Sequence, residues 1–166
     1  MTVRKILTIP DPLLKQVANP VEEITPQIKH ILNDLSDTTD ASPGFALAAP
    51  QIGEMIRAIC VDAGQAKRKT KTPHGKILLI NPRIIAEKKP QINREGCLSV
   101  PQYTADISRY QQITVEGLTA NGEQVSLDSK GWEAIALQHE IDHLDGILFL
   151  DRIASIKNDL FKRKTG

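Results

Sequence analysis

The sequence predicts an α+β domain, and three observations carry that prediction. Residues from Thr25 to Leu35 have the apolar spacing of an amphipathic helix. Ile56 to Val61 and Ile77 to Ile80 are short runs with β-branched residues, bounded by Gly, Asn and Pro as strands are. Gly131 to Asp145 reads as a second helix. The chain has 166 residues, enough for one domain over 1–166, with no internal repeat and no linker. Its 21 Lys and Arg against 20 Asp and Glu leave a formal charge of +1, which argues against nucleic-acid binding by bulk electrostatics, so DNA is not an expected partner. With 40% hydrophobic and 25% charged residues the composition is that of a soluble globular protein. No apolar run approaches the roughly 20 residues of a membrane span, so no membrane is expected either.

Taken in order, Ile6-Leu7-Thr8-Ile9 reads as a short strand stopped by Pro10-Asp11-Pro12. Four apolar residues are too few for the core of an export signal. Two cysteines make no disulfide framework, so the default compartment is reducing and cytoplasmic. Thr25 is the expected N-cap of the first helix and Pro26 its first residue, with Ile28, Ile31, Leu32 and Leu35 on the packed face. Ser42-Pro43-Gly44 ends it. Cys60, between Ile59 and Val61 in an apolar strand, reads as a small core hydrophobe. The basic run from Lys67 to Lys76 reads as a solvated hairpin loop, the alternative being a phosphate- or RNA-binding patch. Asn121-Gly122 between Ile113–Leu118 and Val125–Leu127 marks a β-hairpin. After the second helix, Ile153, Ile156 and Leu160 have the spacing of a third.

The chemistry-bearing stretch is Gln138-His139-Glu140-Ile141-Asp142-His143. In a helix His139 and His143 lie one turn apart and can face one ion. Ala134, Leu137, Ile141 and Leu144 fall on the other side of the helical wheel, and Ile135 and Ala136 flank the histidines. The helix is therefore expected to be buried on both sides, with water largely excluded from the ion. Two histidines do not complete a site, since a catalytic metal needs a third protein ligand and an open position. Asp, Glu or Cys could serve, and Cys97 in Arg94-Glu95-Gly96-Cys97-Leu98-Ser99 is the candidate, on a strand edge or loop where Gly96 allows a tight turn.

Three segments together resemble the peptide deformylase family: Gly44-Phe45-Ala46-Leu47-Ala48-Ala49-Pro50-Gln51, Glu95-Gly96-Cys97-Leu98-Ser99, and Gln138-His139-Glu140-Ile141-Asp142-His143-Leu144. The similarity extends over Ile9–Leu14 and Ile80-Asn81-Pro82, up to about residue 152. The resemblance implies antiparallel β-sheets packed around a central metal-binding helix, with N-terminal and C-terminal helices. It implies a metallohydrolase that removes the formyl group from the N-terminal formylmethionine of newly made polypeptides and releases formate. Cys97, His139 and His143 would hold one divalent metal, ferrous iron before zinc, nickel or cobalt, and a metal-bound hydroxide would attack. Glu140 would be the general acid/base. The amide of Gln51 and the backbone N–H of Leu98 would stabilise the oxyanion. Gly44, Phe45, Ala46, Trp132, Ile135 and Ala136 are the expected substrate pocket.

Further expectations surround that site. Glu95 and Arg109 are either a supporting ion pair or two solvated charges. Asp142 reads as a helix-surface carboxylate, because nothing in the sequence supplies its partner. Lys162-Arg163-Lys164 suits transient ribosome contact or a solvated helix end. The chain departs from the family at Ala46, where a second glycine is usual, and at Tyr103-Thr104, where many members carry an arginine that meets the peptide. Those departures leave a low-activity paralogue as an alternative. An HExxH metallopeptidase is another, but it would take a third ligand from downstream, where only Asp145 and Asp151 are available.

Overall fold

The computed structural model describes residues 2–66 and 74–164. Its elements in chain order are α1 (Pro26–Ala41), β1 (Ala46–Ala48), β2 (Ala58–Val61), β3 (Ile77–Cys97), β4 (Val100–Leu118), β5 (Gln124–Lys130), α2 (Gly131–Leu144), α3 (Ile156–Asp159) and β6 (Leu160–Lys162). The strands form one antiparallel sheet in the order β1-β2-β3-β4-β5, and β6 is added to β4.

Helix α1 starts as its sequence dictates. The Thr25 side chain accepts a hydrogen bond from Ile28 N at 3.2 Å, which satisfies one of the free amides of the first turn. Ile31, Leu32 and Leu35 are buried, and Leu32 and Leu35 pack with Leu47, Ala58, Cys60 and Ile80 from the first strands. Cys60 is fully buried and its thiol is pushed up to about 11 by burial, as a core cysteine would be. The β4–β5 hairpin forms around Asn121-Gly122, with Leu118 opposite Gln124.

Helix α2 is the centre of the molecule, and every residue from Glu133 to Leu144 is buried. Ala134, Leu137, Ile141 and Leu144 pack against Ile59, Val61, Leu79, Ile113 and Val115 of the sheet, which is the face the helical wheel assigns to packing. The helix ends where Gly146 takes a φ of 71° and Ile147 N donates to Asp142 O at 3.0 Å. No side chain fits there, because a Cβ on Gly146 would lie 2.5 Å from Lys15 O.

Both chain ends differ from their sequence patterns. Residues 2–8 form no strand; Leu7 N donates to Gln51 O at 2.7 Å and Ile9 N to Ser99 O at 2.9 Å. That segment spans two separate loops, so it straps them together without pairing with either as a ladder. At the other end the third helix is a single turn, Ile156–Asp159, with Ile156 exposed at 72%. The chain then turns into β6, whose Leu160, Phe161 and Lys162 pair with Ala105, Thr104 and Tyr103. Strand β5 covers only Gln112–Leu118 of β4, so the tail finds an open ladder at the strand's other end and takes it in preference to a longer helix. The Lys162-Arg163-Lys164 run accordingly starts on the last residue of a strand and is not a helix end.

The basic run at 67–76 lies outside the described residues as far as position 73. Its last members are engaged: Lys76 Nζ bonds Ser36 Oγ at 2.8 Å and pairs with Asp40 at 2.6 Å, and His74 Nδ1 lies 2.6 Å from the buried Glu133 carboxylate. No helix among the described residues is long and apolar enough to cross a membrane.

Gly146 gives a direct test of how α2 ends. Gly146→Ala is expected to cost roughly 2 kcal/mol of stability, from the positive φ and the contact with the Lys15 carbonyl together. Urea unfolding checks it, and an unchanged midpoint would show that the turn relaxes freely.

Candidate active site

Strand β3 and helix α2 bring the sequence's candidate ligands together. One donor atom each from Cys97, His139 and His143 lies within 4.8 Å of the others, and all three residues are buried. Cys97 Sγ is 3.4 Å from His143 Nε2, and the two imidazole centroids are 5.1 Å apart. This is the geometry of a shared cation. A thiolate and two imidazoles are the donor set of a catalytic site for a divalent transition metal, with room for a further ligand. Cys97 occupies the last position of β3, as a strand-edge ligand should. Gly96 beside it has ordinary backbone; its missing side chain makes room for a neighbour, not for a tight turn.

The orientation of His139 is fixed by a chain of buried charges. Its Nδ1 lies 2.8 Å from Glu95 Oε1, which directs Nε2 toward the cation position. Arg109 clamps Glu95 through two bonds, Nε to Oε2 at 2.7 Å and Nη2 to Oε1 at 3.0 Å. The same guanidinium donates from Nη1 to Asp142 Oδ2 at 2.6 Å. Asp142 in turn accepts from Arg152 Nη2 at 2.7 Å. Glu95 and Arg109 are thus a buried ion pair, the structural member of the two options the sequence left open. The surface reading of Asp142 fails: the residue is 7% exposed and bridges two arginines. Phe149 stacks on the His139 ring at 6.2 Å between centroids, a contact that no local pattern announces.

The electrostatics follow from burial and these partners. Burial alone would raise the Glu95 carboxyl, but hydrogen bonds from His139 and Arg109 hold it down, from 4.5 to about 2. Burial opposes charge on His139, yet the Cys97 sulfur and the Glu95 carboxylate beside it win and raise its pKa. His143 is pushed well below the usual range by burial, and its Nδ1 has no partner among the described residues. Burial lifts the Glu140 carboxyl to about 7, with His139 pulling it down only in part. Glu140 Oε2 is buried and also lacks a partner among the described residues, as a carboxylate reserved for a water or a substrate atom would.

Gln51 stands on the other wall. Its Oε1 accepts from Ala48 N at 2.9 Å, which fixes the amide so that Nε2 donates to Ser99 Oγ at 3.0 Å and approaches Cys97 Sγ at 3.7 Å. Ser99 is fully buried and was invisible as a site residue, since only the fold aligns its hydroxyl with Gln51. Leu98 is half-buried and its side chain faces Gly44, where a Cβ would come within 3.1 Å.

The expected substrate-pocket residues divide between surroundings. Gly44 and Phe45 line a cavity of about 430 Å³ with Thr39, Asp40, Asp62 and Lys76, to which the three cation donors do not contribute. Phe45 and Ala46 also pack against the cluster that holds Ala136. Ile135 and Ala136 are buried, and Trp132 is half-buried at the start of α2. Ala46 lies in β1 opposite Val61 without a positive φ, so the backbone accepts the methyl group there. The two downstream acids that a metallopeptidase reading would use are engaged elsewhere, Asp145 with Arg57 and Asp151 with Lys15.

Comparison with known proteins agrees with this geometry. The polypeptide deformylase family profile matches residues 3–159. A peptide deformylase of Carboxydothermus hydrogenoformans is 45% identical over 156 residues, 94% of this chain and 97% of that protein. One from Syntrophobacter fumaroxidans is 41% identical over 164 residues, 99% of this chain and 94% of that protein. Among solved structures, the Ehrlichia chaffeensis peptide deformylase in complex with actinonin superposes with a TM-score of 0.87 at 35% identity, covering 95% of this chain and 92% of that one.

The Glu95 carboxyl has a lower pKa folded than its usual 4.5, so its contribution to stability is complete above that value and is lost as pH falls toward about 2. The contribution at stake is on the order of 3 kcal/mol. Thermal unfolding of wild type and Glu95→Gln from pH 6 to 2.5 checks this. Wild type is expected to lose stability more steeply below pH 4.5, and parallel curves would refute the assignment.

Proposed function

The chain belongs to the polypeptide deformylase family, metal-dependent hydrolases that remove the N-formyl group from nascent peptides, and we propose how its own residues carry out that reaction. The observation that carries the proposal is a buried Glu140 carboxylate with an unpartnered oxygen beside three converging cation donors. Cys97, His139 and His143 would hold one divalent cation. When bound, it supplies Lewis-acid polarisation and lowers the pKa of a water toward neutrality. Ferrous iron is our preferred metal, with zinc, nickel and cobalt as substitutes that the same donors accept.

Glu140 takes the proton from the attacking water and delivers it to the departing amine nitrogen of methionine, so that formate and a free amino terminus result. Gln51 donates from Nε2 to the oxygen that gains negative charge, a role for which its Oε1 bond to Ala48 N orients it in advance. The backbone N–H of Leu98 is the second donor. Glu95, Arg109, Asp142 and Arg152 touch no substrate; they keep His139 in one tautomer and one orientation. The methionine side chain is accommodated by Phe45, Trp132, Ile135 and Ala136, with Gly44 and Ala46 along the peptide. Nascent chains as substrate fit a cytoplasmic site of action and a transient encounter with the ribosome.

Formate release from formyl-Met-Ala-Ser by anaerobically purified protein tests this directly. Glu140→Ala is expected to keep its metal and lose turnover by a factor of about 10² to 10⁴. Cys97→Ser is expected to lose both metal and activity. Turnover by Glu140→Ala equal to wild type would remove Glu140 from the mechanism. Separately, Ala46→Gly is expected to raise kcat/KM for the tripeptide without changing metal content; an unchanged value would show that the methyl group is harmless.

A further inference from the structure

Just past β6 comes an arginine in an uncommon position. A Cβ on Gly96 would lie 2.1 Å from Arg163 Nη2 and 3.4 Å from its Cζ, so the guanidinium lies against the Gly96 backbone, in space that a side chain there would contest. The backbone that carries it is anchored. Arg163 N donates to Gln102 O at 2.8 Å, and Phe161, two residues earlier, lies under the Arg94 guanidinium at 3.7 Å. The nearby acid Asp106 is already taken by Arg94 Nε at 2.7 Å. Among the described residues the Arg163 side chain has no hydrogen bond or ion pair, and Arg163 and Gly96 are both exposed.

Gly96 separates Glu95, which bonds His139, from Cys97, which faces His143. Successive residues of a strand face opposite ways, so Glu95 and Cys97 turn inward and the guanidinium covers the strand from its solvent side. Strand β3 pairs with β2 only over Ile77–Ile80, and the edge beside Glu95–Cys97 is open. The outer edge of β1 is open as well, and Gln51 links Ala48 at its end to Cys97. A peptide that paired with these edges and brought its formyl end to the three donors would pass Gly96, the chain neighbour of Cys97, and at about 3.3 Å per residue the residues after its methionine would reach the stretch of strand that Arg163 covers. Backbone amides there could bond any peptide; a planar cation with five donors adds a preference for oxygen-rich or anionic groups.

We propose that Arg163 is a specificity-determining residue that holds carbonyl or carboxylate oxygens of the peptide downstream of its methionine. The proposal rests on the deformylase reading of the site. It assigns the C-terminal strand a part in substrate choice.

The test compares metal-loaded wild type, Arg163→Ala, Arg163→Lys and Arg163→Glu on formyl-Met amide, formyl-Met-Ala-Ser, formyl-Met-Ala-Asp and formyl-Met-Ala-Lys. Calorimetry measures binding of the product peptides Met-Ala-Ser and Met-Ala-Asp to the same proteins. Arg163→Ala is expected to raise KM for the tripeptides about fivefold to tenfold, the effect of one lost hydrogen bond to a charged group, with kcat and metal content unchanged. Formyl-Met amide is expected to show no change, Arg163→Lys to recover part of the loss, and Arg163→Glu to favour Lys over Asp at the third residue. Equal KM in Arg163→Ala and wild type, or an equal rise for formyl-Met amide, would overturn the proposal. Wild type without turnover on any formyl peptide would overturn the activity instead, and the calorimetric comparison would still decide the role of Arg163.

Discussion

A thiol and two imidazoles cannot share a cation in this chain unless a fourteen-residue helix is sunk into the middle of the protein. His139 and His143 come from α2 and Cys97 from the end of a long strand, so no local sequence brings them together. Most of the architecture serves that approach. The sheet covers the apolar side of α2 with Ile59, Val61, Leu79 and Val115, which leaves the histidine side turned toward β3. Gly146 stops the helix against the Lys15 carbonyl, and the N-terminal segment straps the loops of Gln51 and Ser99 through its own backbone.

Burying such a helix brings an electrostatic cost that the surrounding charges offset. Glu95, Arg109, Asp142 and Arg152 alternate in sign, so each buried charge is neutralised by its neighbours. Removing Arg109 would take a cationic partner from the buried Glu95 and Asp142 at once. The arrangement does more than stabilise. It ends at His139 Nδ1, and the hydrogen bond there decides which nitrogen of the ring faces the cation. Glu140, in contrast, is left without such a neighbour on one oxygen, and burial, aided by the Glu95 and Asp142 charges, raises its carboxyl to about 7.

What could be read from the sequence follows the range of each interaction. Helices α1 and α2 and the β4–β5 hairpin are encoded by local periodicity, a cap and a turn dipeptide, and they form as predicted. The metal-directed residues were legible because a helical turn fixes the His139–His143 relation and because Cys97 falls in a segment that resembles a known family's. The surface reading of Asp142 fails because its partners, Arg109 and Arg152, lie on a distant strand and on a turn beyond the helix. The two termini depart from their local patterns for the same reason. Ile6–Ile9 has strand-like residues but no neighbouring strand to pair with, and Leu160–Lys162 has helical spacing but meets an open ladder at Tyr103–Ala105. Phe149 carries no motif, and Ser99 closes the Glu95–Ser99 segment without any sign of its bond to Gln51; both meet their partners only in the fold.

The two positions at which the resemblance implies a departure, Ala46 and Thr104, lie on β1 and β4, whereas the cation donors lie on β3 and α2. The three cation donors sit on α2 and the inward face of β3, where they are buried and where Glu95 and Arg109 fix the His139 ring. Ala46 and Thr104 occupy the other environment, an edge strand and a half-buried strand face. A methyl group at position 46 meets ordinary extended backbone, and Thr104 pairs with Gly96 and Phe161 without approaching the histidines. Backbone pairing with β2, not the Ala46 side chain, sets the geometry of that edge. The buried donor set and the exposed strand edge are thus held by different means: side-chain hydrogen bonds fix Glu95 and His139, and backbone pairing fixes β1.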